Sequence, residues 1–197
     1  MPEVQSPRTG TRGPAPGATR DEVLALARAH FLDCRRVDVR AIAAESGVSR
    51  ATLYRWFGSR EGLLAEAMMQ VFEARVADAR AAVGGRGAKA LVETIDLIYR
   101  GLAAAPHVRA LIDRERAVAL PLMTSSEGQV HPRIVEIIRG LIEAEVKRGD
   151  YEAPADPETL AYVFVRLAEA MLFNYETDAN AKDVERLREV SAAMLGA

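Results

Sequence analysis

Ser46 to Leu64 reads SGVSRATLYRWFGSREGLL. Ser49 and Ser59 are helix N-caps by residue type, because a serine hydroxyl accepts from a free N–H of the first helical turn. Standing ten residues apart, they leave room for only about two turns of helix before Gly58. A helix that short is marginal in water, so neighbours must hold it. Asp38 can cap a preceding short helix, VRAIAAES, and Gly47 can stop it. A short helix, a glycine turn and a second short helix make a helix-turn-helix, whose second helix reads the major groove of DNA. Ala43, Gly47, Val48, Ser49 and Leu53 supply the close crossing, the turn, the cap and the inward apolar anchor.

At about 100° per residue, Leu53 and Phe57 fall together and define a buried face. Ala51, Thr52 and Arg55 lie roughly opposite, and Tyr54 and Trp56 flank the buried face on either side. The outward face thus carries a small residue, a hydroxyl and a guanidinium. Ala51 permits close approach to base edges, Thr52 can donate or accept, and Arg55 can make a bidentate contact to guanine. Arg50 stands at the helix N-terminus, the end that reaches furthest into the groove. Tyr54 and Trp56 present polar edges where phosphates pass. Arg60, at the start of the next helix, adds an anion site.

Charge distribution agrees. Residues 1–60 hold ten arginines against six acids, whereas the remainder holds 16 bases against 22 acids. A basic front end on an acidic body calls for an anionic partner at the front. The single cysteine, Cys34, excludes an intramolecular disulfide and a thiolate zinc cluster, and fits a reducing cytoplasm. Residues 1–18 are rich in Pro, Gly and polar side chains without an apolar stretch, which reads as a flexible arm rather than a signal peptide. The longest apolar stretch, AYVFVRLAEAMLF, is interrupted by Arg166 and Glu169 and is too short to span a bilayer.

The rest of the chain reads as helix throughout. Thr19 can cap a first helix running to about Leu32, and Ser59 a long fourth one broken by GGRG at 84–87. Further helices are expected at 89–104, at 107–120 between Pro106 and Pro121, at 132–148, at 157–176 and at 183–195. No alternating strand pattern or internal repeat interrupts them. The expected fold is all-α: a flexible arm (1–18), a three-helix helix-turn-helix DNA-binding domain (19–59), and a larger helical ligand-binding and dimerisation domain (60–197). No nucleophile motif, metal-ligand spacing or cofactor loop is present, so neither an enzyme nor a cofactor is expected. His107 and His131 begin helices and are expected near the surface.

The segments ATRDEVLALARAHF and VDVRAIAAESGVSRATLYRWFGSREGLLAEAM resemble the N-terminal DNA-binding domain of the TetR family of transcriptional regulators, over about residues 19–69. By position, the resemblance implies a backbone contact for Arg40. It implies reading-helix contacts for Arg50, Ala51, Thr52, Tyr54, Arg55 and Trp56, with Ser49 at their head, and a phosphate grip for Arg60. One departure is Asp38, which stands where a hydroxyl cap is usual and places a negative charge near DNA. RVDVRAIAAESGVSRATLYRW and RLAEAMLFNY are similar to the QsdR-like subgroup.

Helix 157–176 is apolar nearly all round, so more than one side must be covered, one of them by a second subunit. A two-fold homodimer also places two reading helices for a palindromic operator on double-stranded DNA. In the family the last two helices form this interface, and the helices before them enclose a ligand cavity. Its candidate lining is Met68, Phe72, Tyr99, Leu102, Met123, Phe164 and Met171, with Arg166 and Glu169 pairing or orienting a polar head group. That composition suits a small apolar effector such as an acyl chain or acyl lactone. The expected function is a repressor released by such an effector. The alternative is a ligand-independent helical DNA-binding or architectural dimer.

Overall fold

A computed structural model describes residues 18–149, 151–173 and 179–197. Among these, the chain forms nine α-helices and no strand: α1 (Arg20–Leu32), α2 (Val39–Ser46), α3 (Arg50–Phe57), α4 (Arg60–Ala82), α5 (Gly87–Ala103), α6 (Pro106–Thr124), α7 (His131–Lys147), α8 (Pro157–Leu172) and α9 (Ala179–Leu195). The all-α expectation holds. The expected arm lies outside the described residues up to position 17, as do positions 174–176 of the expected helix 157–176.

The caps read from the sequence set the first four helices. Thr19 and Glu22 form a reciprocal capping box on α1. The Asp38 carboxylate accepts from the N–H groups of Arg40 (2.9 Å) and Ala41 (3.1 Å). Ser49 Oγ accepts from Thr52 N–H at 3.1 Å, and Ser59 Oγ from Gly62 N–H at 2.9 Å. Two glycines are required sterically. Gly47 ends α2 in the left-handed region at φ 69°. At Gly62 a Cβ would lie 2.0 Å from the carbonyl oxygen of Phe57, so only glycine lets α4 start this close to the end of α3.

Leu53 and Phe57 anchor α3 and are 1% and 6% exposed. Burying them contributes about 1.5–3 kcal/mol each, which offsets the poor intrinsic stability of a two-turn helix. They join an apolar cluster that also holds Val23, Phe31 and Ile42. That cluster does not stop at position 59. It continues through Leu63, Leu64 and Met68 of α4 and through Leu111 and Ile112 of α6. A second cluster packs the lower half of α4 against α5, α7 and α8 through residues such as Phe72, Ile95, Ile142 and Phe164. α4 therefore passes from one core into the other.

The structure departs from expectation in α6. Pro121 does not end this helix, which runs to Thr124. The break falls at Glu115, whose φ of −134° and ψ of 40° are not helical. Pro121 removes only the hydrogen bond to the Ala117 carbonyl, and Ala117 sits at an exposed position where water can serve instead. The histidines also depart. His131 is 2% exposed, and His107 is half-buried with its Nε2 enclosed and without a partner. The His107 ring packs edge-on against Phe31 and the His131 ring against Tyr162, contacts that come from distant parts of the chain.

Candidate DNA-binding surface and ligand cavity

On α3 the buried and exposed faces follow the spacing. Ala51, Tyr54 and Arg55 are exposed, with Tyr54 half in solvent, and Arg50 at the N-terminus is exposed too. Trp56 breaks the symmetry with Tyr54: it is half-buried and meets Phe57 edge-on, with centroids 6.3 Å apart at 89°. Thr52 is also half-buried, and its hydroxyl lies 3.0 Å from Ser49 Oγ. The Ser49 hydroxyl is thus engaged by the cap and by Thr52.

The arginines separate into two groups. Arg40, Arg50 and Arg55 are exposed, and their guanidiniums make no hydrogen bond or ion pair with any described residue. Three uncommitted cations on the outward side of α2 and α3 leave this face positively charged and open to an anion. Arg60 belongs to the other group. Its Nε donates to the Val37 carbonyl at 2.7 Å, and its Nη2 lies 2.7 Å from Glu115 Oε2, with only 14% of the side chain exposed. Glu115 also accepts from Arg36 Nε at 3.3 Å. A guanidinium held this way is committed to the protein, unlike the free cation that the reading by position implied. It ties the first turn of α4 to the break in α6. Asp38 is engaged by α2's free N–H groups, above all that of Ala41, which hold its carboxyl below the usual range.

In the body, Phe72, Tyr99, Leu102, Met123, Phe164 and Glu169 line one apolar cavity. Ile95, Ile98, Ile134 and Ile138 complete much of its wall. Helical spacing can put such residues on a buried face, but it cannot separate a cavity wall from packed core. Met68, Arg166 and Met171 do not line it. Met68 belongs to the upper core, because α4 crosses cores between it and Phe72. Met171 packs towards Tyr99, Val184 and Leu187. Arg166 turns outward: its Nη1 donates to the Thr124 carbonyl at 2.5 Å and to Glu169 Oε2 at 3.1 Å, and its Nη2 to Ser126 Oγ at 2.6 Å. The expected Arg166–Glu169 pair therefore forms, but it acts as a brace between α8 and the end of α6. His131 Nδ1, 2.7 Å from Glu169 Oε1, completes this brace, a role its sequence position did not signal.

The cavity holds about 80 Å³, below the roughly 300–1,000 Å³ of drug-sized ligand sites. Its polar lining is Glu169, already held by His131 and Arg166, and Tyr99, which is 3% exposed and whose hydroxyl has no partner. Burial, with Asp183 as a second cause, pushes the phenol up to about 12. An orphaned buried hydroxyl is costly and is uncommon without a role. Among the described residues, no group of three or more His, Cys, Asp or Glu could hold a metal, and no helix is long and apolar enough to cross a membrane.

Residues 86–196, more than half of the chain, match the family described as tetracyclin repressor-like, C-terminal domain, and residues 33–67 match bacterial regulatory proteins, tetR family. The chain belongs to the TetR family. It is a TetR-family transcriptional regulator with a helix-turn-helix followed by the family's helical C-terminal domain. Solved structures of similar TetR-family proteins show the same fold. The Rhodococcus (R. erythropolis) transcriptional repressor QsdR is 24% identical with a TM-score of 0.78, covering 90% of this chain and 94% of its own. The repressor AlkX from Dietzia sp. strain DQ12-45-1b is 21% identical, TM-score 0.62, covering 91% and 97%. A regulator from Pectobacterium atrosepticum is 23% identical, TM-score 0.61, covering 90% and 98%. Comparison with curated proteins returns no match.

Proposed function

We propose that this TetR-family protein is a homodimeric repressor that binds a palindromic operator and is released by a small apolar effector. Residues 19–59 form the DNA-binding unit and 60–197 the effector-binding and dimerising body. The observation that carries the reading is the pairing of two unmet demands. Arg40, Arg50 and Arg55 lack partners on the outward face, and the body keeps an apolar cavity with an orphaned Tyr99 hydroxyl. Arg50 and Arg55 reach base edges, while Arg40 and Tyr54 contact the backbone beside them. Tyr162, Val163 and Val190 leave apolar surface exposed on α8 and α9, where a second copy docks.

The small cavity supplies the switch. A ligand larger than about 80 Å³ fits only an expanded body, so it binds the expanded state preferentially and shifts the population towards it. Phe72 on α4 and Met123 on α6 stand on the cavity wall, and the same two helices are tied together by Arg60 and Glu115. A ligand wedged between them strains that tie and displaces the DNA-binding unit. A coupling of about 1–3 kcal/mol releases operator about 5–150-fold. The effector is apolar with one hydrogen-bonding group for Tyr99; acyl chains and acyl lactones belong to this class.

The test is a thermal-shift screen of such compounds joined to operator release by fluorescence anisotropy. Tyr99→Phe should leave operator affinity intact and weaken the response to an active compound, because only the orphaned hydroxyl is removed. If no compound both stabilises the protein and releases operator, the ligand-independent architectural reading takes its place.

A further inference from the structure

A second crevice opens between the DNA-binding unit and the body, with a volume of about 300 Å³. One wall is the loop between α1 and α2, carrying Cys34 and Arg36. The facing wall is the first half of α6, carrying His107 and Arg114, and Phe31, Leu64 and Leu111 give it an apolar floor. Three guanidiniums border it (Arg35 is the third) against one carboxylate, Glu115, which Arg60 already holds. Arg35 pairs with Glu45 at 2.9 Å. Arg36 uses only Nε, on Glu115, and Arg114 only Nη1, on the Cys34 carbonyl at 2.7 Å. Both keep N–H donors, and they approach from opposite walls.

The floor is of opposite character. Phe31, Leu64 and Leu111 are 4%, 1% and 7% exposed, and the His107 ring meets Phe31 edge-on at 4.8 Å. Burial and the charge of Arg75 lower the basicity of His107, so the ring is a neutral wall. A bare inorganic anion would satisfy the arginines and leave this floor wet. A neutral apolar molecule would cover the floor and leave the positive charge unanswered.

We propose that this crevice is a second ligand site, separate from the effector cavity, for a small amphiphilic carboxylate. Arg36 and Arg114 hold its oxygens through their planar forks, and its apolar part lies on Phe31, Leu64 and Leu111. The occupant joins the α1–α2 loop to α6 beside the Arg60–Glu115 pair, so it bridges the DNA-binding unit and the body.

Cys34 is the chain's single cysteine and lines this crevice, so its labelling rate reports the crevice alone. The experiment follows reaction of the full-length protein with a thiol reagent at constant ionic strength. The additions are benzoate, methyl benzoate, inorganic phosphate or operator DNA. Benzoate is expected to slow labelling saturably, with methyl benzoate and phosphate ineffective. Arg36→Gln and Arg114→Gln should each weaken benzoate protection about tenfold. Arg36 is the cleaner variant, since its side chain is 66% exposed and holds no backbone group. Phe72→Ala should leave benzoate protection unchanged, which separates this site from the proposed effector cavity. An unchanged labelling rate with benzoate, or protection that survives Arg36→Gln, overturns the proposal. So does equal protection by methyl benzoate or phosphate, or protection by DNA alone, which would make these arginines phosphate contacts.

Discussion

Arg60→Ala should destabilise the junction between the DNA-binding unit and the body without changing how operator binding depends on salt. Arg60 and Glu115 approach to 2.7 Å with 14% and 15% of their side chains exposed. Removing one partner of a fully buried pair costs about 3–5 kcal/mol, because a charge is left without an answer. Here both side chains keep some water, so about 2–3 kcal/mol is expected for either Arg60→Ala or Glu115→Ala. At this chain length that lowers the melting temperature by about 4–12 °C. Arg36→Ala should cost under about 0.5 kcal/mol, because Arg36 meets the same carboxylate from an exposed position. A double-mutant cycle on Arg60 and Glu115, melted at one fixed protein concentration, should give a coupling of about 1–3 kcal/mol. The reasoning is refuted if Arg60→Ala melts like the parent and its salt slope for operator binding falls by about one, the signature of a lost phosphate contact.

Arg55→Ala should weaken operator binding by about 1–3 kcal/mol and relax one base position while leaving the melting temperature unchanged, as read by anisotropy on operator and random DNA. Val163→Glu puts a charge on an apolar position that is 38% exposed within one subunit. It should dissociate the proposed dimer by light scattering while circular dichroism keeps its helical signal. His107 has a lowered pKa, so the unfolded chain binds a proton that the folded chain refuses. Stability should therefore fall as pH drops through the ordinary histidine value of about 6.5. His107→Gln should flatten that fall in urea titrations at successive pH values.

The order of the helices and the starts of α1 to α4 were legible in the sequence because both are local, whereas α5 begins at Gly87 and α9 at Ala179, ahead of the expected 89 and 183. Thr19, Asp38, Ser49 and Ser59 satisfy N–H groups two or three residues away, and Leu53 and Phe57 share a face by helical spacing alone. Ala51 and Arg55 are exposed where the same arithmetic put them, but Thr52, set opposite the buried face, is half-buried, and Tyr54 and Trp56 are not equivalent. Three things were decided only by tertiary structure. Arg60 was read as an anion contact from its place at the start of α4; its closest partners, Val37 and Glu115, arrive from 23 and 55 residues away. The break falls at Glu115, which meets Arg36 and Arg60 from far along the chain, whereas Pro121, the residue that punctuates sequence most strongly, stays within the helix. Tyr99 was read as a candidate lining residue, with no sign of how its hydroxyl would be met. That its hydroxyl is enclosed without a partner depends on α8 and α9 closing over it, and helical periodicity records which face is buried but not what meets it there.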